Sequence, residues 1–159
     1  MSVSTWIADV SNRFFDRVRH KAAFTIGDTE AVPGPFEALR GRRYATLVTF
    51  RRNGEAVPSP LWFGMDDEGR FYTHTLADSG KVKRLRNDPR VLLVASTRRG
   101  KPIGPVYGGV AREVPKDEEA HAEAALAANH GLGRKLYMGA SHQADIGVYV
   151  EVAPMGGSR

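Results

Sequence analysis

The residues best placed to do chemistry are Asp78-Ser79-Gly80-Lys81-Val82-Lys83-Arg84, which join the end of a β-rich run to the start of a helical one. A small capping residue, a glycine and adjacent cations at a helix start suit an anion. The first backbone N–H groups there lack internal partners, the helix dipole is positive, and Lys81 adds a full charge. The same residues also read as a capped helix with a solvated basic face, because Val82 and Leu85 bury one side. No glycine stands five residues before Gly80, so this is not the phosphate loop of nucleoside triphosphatases. Upstream, Pro58 and Pro60 remove two N–H donors from one edge of a strand, which then either faces solvent or borders a planar ligand. Trp62 shares their parity, and its ring either fills core or walls a pocket. Thr73-His74-Thr75 ends the following strand just before the anion-binding turn, where a ligand anchored by phosphate would extend inward.

Other chemistries find no support. The chain has no cysteine, which excludes disulfide scaffolds, cysteine nucleophiles, iron–sulfur clusters and thiolate zinc sites, and a cytoplasmic location is the expectation. His20, His121, His130 and His142 show no metal spacing, so no metal is expected. There is no Gly-x-Ser-x-Gly elbow, and the acids fall in turns or on helix surfaces rather than in catalytic pairs. No apolar run reaches the roughly 18 to 20 residues of a membrane span, and no signal-peptide core is present.

The formal charge of +5 suggests an anionic partner, and its placement is informative. Between Lys81 and Lys101, eight cations less one anion, Asp88, give +7, more than the whole-chain balance. Arg40, Arg42, Arg43, Arg51 and Arg52 form a second cluster, while Asp117, Glu118, Glu119 and Glu123 gather in a later helix.

The elements that must position these residues belong to one domain of ordinary composition, with 42% hydrophobic and 26% charged residues in a chain of 159. Ile7, Val10, Phe14 and Val18 recur at intervals of three and four, predicting an amphipathic helix over residues 5–18 that docks on the domain or on a partner subunit. Residues 21–35 mix Gly, Pro and charge without period and read as a linker before a short helix over 36–39. Six strands are expected, over 44–50, 56–65, 70–75, 90–97, 105–114 and 146–152, with helices over 79–87 and from Pro115 to Asn129. Asn53-Gly54 favours a tight hairpin between the first two strands, and Gly131 suits the end of the last helix. Short turns between strands describe an antiparallel barrel or strongly curled sheet, a mainly β architecture with flanking helices of the α+β class. The organisation expected is a helix and linker over 1–38, a barrel over 39–153 and a tail over 154–159.

Taken in order, Tyr44-Ala45-Thr46-Leu47-Val48-Thr49-Phe50, Asn53-Gly54, Pro58-Ser59-Pro60-Leu61-Trp62-Phe63, Phe71-Tyr72-Thr73 and the run from Asp78 through Asn87-Asp88-Pro89-Arg90-Val91 resemble the pyridoxamine-phosphate-oxidase-like split-barrel superfamily. The turn from Thr97 to Pro105 and Gly131-Leu132-Gly133-Arg134 resemble its branch that uses the deazaflavin coenzyme F420. The resemblance covers about residues 39–152 and implies a six-stranded antiparallel split β-barrel of the FMN-binding kind. It also implies a homodimeric oxidoreductase with the cofactor in a groove between subunits. Ser79, Gly80, Lys81 and the Val82 backbone would hold its phosphate. Ser59, Pro60, Leu61 and Trp62, with His74 and Thr75, would line the ring, and Arg99 and Lys101 would face the acidic tail. Flavin-using oxidases of the superfamily often carry an arginine on the second strand where Ser59-Pro60 stands, which favours F420 over FMN. The terminal Arg-x-His substrate signature of the vitamin B6 oxidases has no counterpart in a chain ending Val152-Ala153-Pro154-Met155-Gly156-Gly157-Ser158-Arg159.

The expectation is therefore hydride transfer between F420 and a small organic acceptor, with FMN as the alternative cofactor and no catalytic acid assigned. A nucleic-acid-binding barrel would need Trp62, Tyr72 or Tyr107 exposed on a basic face, and no nucleic-acid partner is expected. A carrier that binds the cofactor without turnover shares every one of these residues.

Overall fold

A computed structural model of the chain describes residues 19–140 and 146–155. The elements are β1 (Tyr44–Phe50), β2 (Ala56–Trp62), β3 (Gly64–Met65), β4 (Phe71–Leu76), α1 (Gly80–Asn87), β5 (Arg90–Ala95), β6 (Tyr107–Glu113), α2 (Glu119–Ala140) and β7 (Gly147–Pro154). Short 3-10 turns occupy Lys21–Asp28, Glu37–Leu39 and Lys116–Glu118. One antiparallel sheet in the order β2-β1-β5-β6-β7-β4-β3 curls into an open half-barrel. The predicted helix over 5–18 lies outside the described residues.

Alternation along the strands sorts side chains to two faces. Ala45, Leu47, Val91, Leu93, Phe71, Val150 and Val152 point inward and form the main core with Phe63, Phe36 and Leu39. Leu85 of α1 plugs that core from one end. The outer face carries two further patches. Val48 and Val94 are covered by Ala23, Ile26 and Val106, while Tyr72 and Tyr149 lie under Ala122, Ala125 and Leu126 of α2. The stretch 21–35 is thus more than a connection, because its 3-10 turn seals the outside of β1 and β5 with two residues at 1% exposure, Ala23 and Ile26.

The sheet has seven strands rather than the expected six. The run 56–65 breaks at Phe63, whose ring turns into the core, and Gly64–Met65 leaves β1 to pair with β4. Gly64 permits this because a Cβ there would sit 2.1 Å from the Ala125 carbonyl oxygen, so only glycine lets α2 lie directly on β3. The β1–β2 hairpin also differs in detail. Gly54 has φ of 86° and no non-glycine residue has positive φ among the described residues, so the loop is of the glycine-bulge kind, not a two-residue mirror turn. The last helix does not end at Gly131. That residue breaks helical geometry (φ 51°, ψ −123°) and the chain then re-enters helix. Among the described residues no helix is long and apolar enough to cross a membrane.

Candidate functional site

The half-barrel stays open between β2 and β4. β1 pairs Thr46 with Pro60 and Val48 with Pro58, so both prolines direct their donorless nitrogens to the other edge of β2. Continuing the register in which Gly64 faces Tyr72 would bring Pro60 beside Leu76, but proline has no N–H to extend that ladder. A side-chain bond, Thr73 Oγ1–H to the Trp62 carbonyl at 2.8 Å, ties the two strands where the pairing stops. The result is a slit along the edge strand β2, whose rim lacks the N–H donors of Pro58 and Pro60.

Helix α1 begins at the end of this slit. Ser79 occupies the N-cap, but its side chain does not cap the helix; its Oγ stands 3.4 Å from Thr75 Oγ1. Lys83 N–H to Ser79 C=O, 3.2 Å, is the first bond of the helix, so the N–H groups of Gly80, Lys81 and Val82 point out of its start. Lys81 Nζ donates to Thr75 Oγ1 at 2.9 Å, and no carboxylate pairs with it among the described residues. Burial pushes the Lys81 ammonium down to about 8, and the nearby Arg84 and Arg19 cations press in the same direction. Arg84 Nε donates to Thr49 Oγ1 at 2.7 Å. Its guanidinium crosses the helix start, with Nη1 2.8 Å from where a Gly80 Cβ would be. Lys81 and Arg84, the hydroxyls of Thr75 and Ser79 and the free N–H donors therefore gather at the helix start, with Thr49 holding the Arg84 guanidinium and the Arg19 charge nearby. The arrangement can bind a phosphate or carboxylate; no group in it is set up as a nucleophile.

The other expected site residues divide by face. Ser59 and Leu61 are half-buried and share the inward face with Thr73 and Thr75, Leu61 packing on the main core. Pro60 and Trp62 lie on the outer face. Pro60 is met by the Gly100 turn, where a Cβ would be 2.9 Å from its Cγ, and Trp62 stacks on His130 with centroids 4.6 Å apart and an interplanar angle of 11°. His74 is also outward, its ring 4.6 Å from that of Tyr149, and therefore on the opposite side of β4 from Thr75. Arg99 and Lys101 are exposed on the turn outside β2, where the Arg99 carbonyl accepts the His20 N–H at 2.7 Å. The +7 stretch is consequently not one patch. Lys81 and Arg84 enter the cradle, Arg86 and Arg90 are tied to Glu113 and Asp88, and Arg98, Arg99 and Lys101 sit apart.

Thr49 and Arg19 were not singled out from the sequence, and Arg84 was read there only as part of the basic helix start. Gly80 and Arg84 stand one helical turn apart, so a glycine leaving room for the arginine at i+4 was a legible signal. Nothing local linked Thr49 or Arg19 to the cradle. A separate polar cluster lies away from the slit: Tyr72 O–H reaches Glu151 and Asp66 at 3.0 and 3.2 Å, His121 contacts Asp66 at 3.0 Å, and Arg112 pairs with Glu151 at 2.9 Å. Among the described residues no group of His, Asp or Glu side chains is arranged to hold a metal ion.

An open antiparallel barrel with an anion cradle at its slit matches, over residues 36–147, the sequence model of pyridoxamine 5'-phosphate oxidase. The chain belongs to this oxidase family. No curated protein matches its sequence. Solved structures similar to this family member include a conserved hypothetical protein from Mycobacterium tuberculosis, 22% identical with a TM-score of 0.57, covering 80% of this chain and 86% of that one. An F420 reductase is 21% identical with a TM-score of 0.54, covering 79% and 97%. The heme storage protein HutZ from Vibrio cholerae is 17% identical with a TM-score of 0.57, covering 76% and 87%. Identities this low speak for the split-barrel fold alone. The family itself includes oxidoreductases that bind flavin-like cofactors, and its members are often dimeric.

Proposed function

We propose that the protein is an oxidoreductase that transfers a hydride between coenzyme F420 and a small organic acceptor, working as a homodimer in the cytoplasm. The observation that carries this reading is the cradle of Thr75, Ser79, Lys81 and Arg84 at the mouth of a slit bordered by donorless proline edges. The residues fit the cofactor's phosphate. Gly80 leaves room for the Arg84 guanidinium to lie across the helix start, and Lys81 has no internal counter-charge among the described residues.

When bound, the deazaflavin supplies the hydride chemistry; the protein binds, orients and excludes water. Lys81, Arg84 and the N–H groups at the start of α1 hold the phosphate. Thr75 positions the Lys81 ammonium. The backbone rim at Pro58 and Pro60, with Ser59 and Leu61 facing inward, borders the ring. Arg99 and Lys101, on the outer turn, contact the acidic tail. Trp62 and His74 act from the outer face, supporting the strands that form the slit walls. The deciding experiment is fluorescence titration at low salt with F420 and, separately, with FMN. Tight F420 binding with weak FMN binding supports the reading, while tight retention of FMN assigns the protein to the FMN-using oxidoreductases. Failure to bind either rejects both. A reduction assay then separates an enzyme from a carrier.

A further inference from the structure

A second device sits on the outer face of β4, away from the anion cradle. Gly131 interrupts α2 with a backbone conformation that favours glycine, yet a Cβ there would meet nothing within 4 Å, so the break is conformational and not forced by packing. Beyond it Leu132 and Leu136 are 71% and 65% exposed, and Arg134 turns back and is 3% exposed. Arg134 Nε and Nη2 donate to Glu123 Oε1 and Oε2 at 2.9 and 2.7 Å, across the break. Tyr149 O–H donates to the same Glu123 Oε2 at 2.5 Å. Beneath this network lies His74, its ring against Tyr149, with a buried Nε2 that has no hydrogen-bond partner among the described residues.

We propose that residues 132–136, beyond Gly131, are a hinged strap, latched over His74 by Arg134 through Glu123 and Tyr149, and released when His74 gains a proton. The charged groups facing His74 are Glu123 and Arg134 from α2, with the Tyr149 phenol from β7. Tyr72 and Glu151 sit one step further along the same face of the sheet. In the latched arrangement His74 Nε2 has no acceptor among the described residues, and both Glu123 oxygens are already engaged, by Arg134 and, at Oε2, by the Tyr149 hydroxyl. A protonated His74 would carry a buried positive charge beside Arg134. The closed strap accordingly keeps the imidazole neutral, burial and then Arg134 holding its pKa below the ordinary value. Closure is complete above the pKa of the uncovered imidazole, about 6.5. It weakens by up to about tenfold per pH unit below that, until the pKa of the covered form is reached.

The test is hydrogen exchange of the amides of residues 132–136 in the full chain, corrected for intrinsic exchange, between pH 7.5 and pH 5. Wild type is expected to lose protection below about pH 6.5, whereas His74→Gln, which cannot charge, retains it throughout. Glu123→Gln is expected to lose protection at every pH while the exchange of β1, β5 and β6 is unchanged. Arg134→Met, read in the same way, provides a second unlatched variant should Glu123→Gln fail to fold. The inference is overturned if His74→Gln loses protection with acid as wild type does, if wild type shows no loss, or if a folded unlatched variant stays protected.

Discussion

Replacing Lys81 by Met keeps the length and apolar stem of the side chain and removes its charge from the cradle. A hydrogen bond to a charged partner contributes about 1.5–3 kcal/mol, so binding of a phosphate-bearing cofactor should weaken by about 10- to 150-fold, a factor of ten being about 1.4 kcal/mol. The pH dependence gives a sharper signature. Lys81 titrates at about 8 in the free protein, and a bound anion favours its charged form, so binding takes up a proton as the pH passes above 8. Affinity should be level near pH 7 and fall by up to about tenfold per pH unit above 8, while the variant shows no such fall. Fluorescence titration of wild type and K81M with F420 and FMN from pH 6.5 to 9.5 measures both effects. Affinities within twofold of one another, or parallel pH profiles, would refute the assignment of Lys81 to the anion site.

Three further outcomes concern the scaffold. Gly64→Ala forces a Cβ against the Ala125 backbone. It should cost about 1–3 kcal/mol, read as a fall in Tm of roughly 2–12 °C; an unchanged Tm means α2 can lift from β3 freely. Asp66 accepts the Glu68 and Arg70 N–H groups at 3.0 and 2.9 Å, and its pKa is lowered by hydrogen bonds to His121, Arg70 and Tyr72 that outweigh the opposing effect of burial. Its contribution is therefore present above the ordinary carboxylate pKa of about 3.9 and lost as pH falls below it. Asp66→Asn should destabilise by about 1–2 kcal/mol at pH 7 and by less at pH 3, as urea denaturation at the two pH values will measure. Thr73→Val removes the tie to the Trp62 carbonyl. It should cost about 0.5–1.5 kcal/mol and speed amide exchange at Phe63 and Gly64 without affecting β5; uniform exchange would show that the tie does not hold the slit.

The alternation of apolar residues and the turn signals determined most strands and the class of fold, because a period of two and a glycine at a positive-φ position are local properties. The start of α1 was equally legible, since capping and uncompensated N–H groups depend only on neighbouring residues. The division of 56–65 into two strands was not. It depends on Gly64 meeting Ala125, more than 60 residues distant in the chain. Only the tertiary structure separated Trp62 and His74 from Thr75, divided the basic stretch among three places, and brought Thr49 to Arg84 and the Arg19 charge near Lys81. The sequence by itself settled which residue types lie beside one another along the chain, and so where an anion could be held. Which face a side chain takes, and which cations share a field, follow from curling the sheet, because charge and contact act through space.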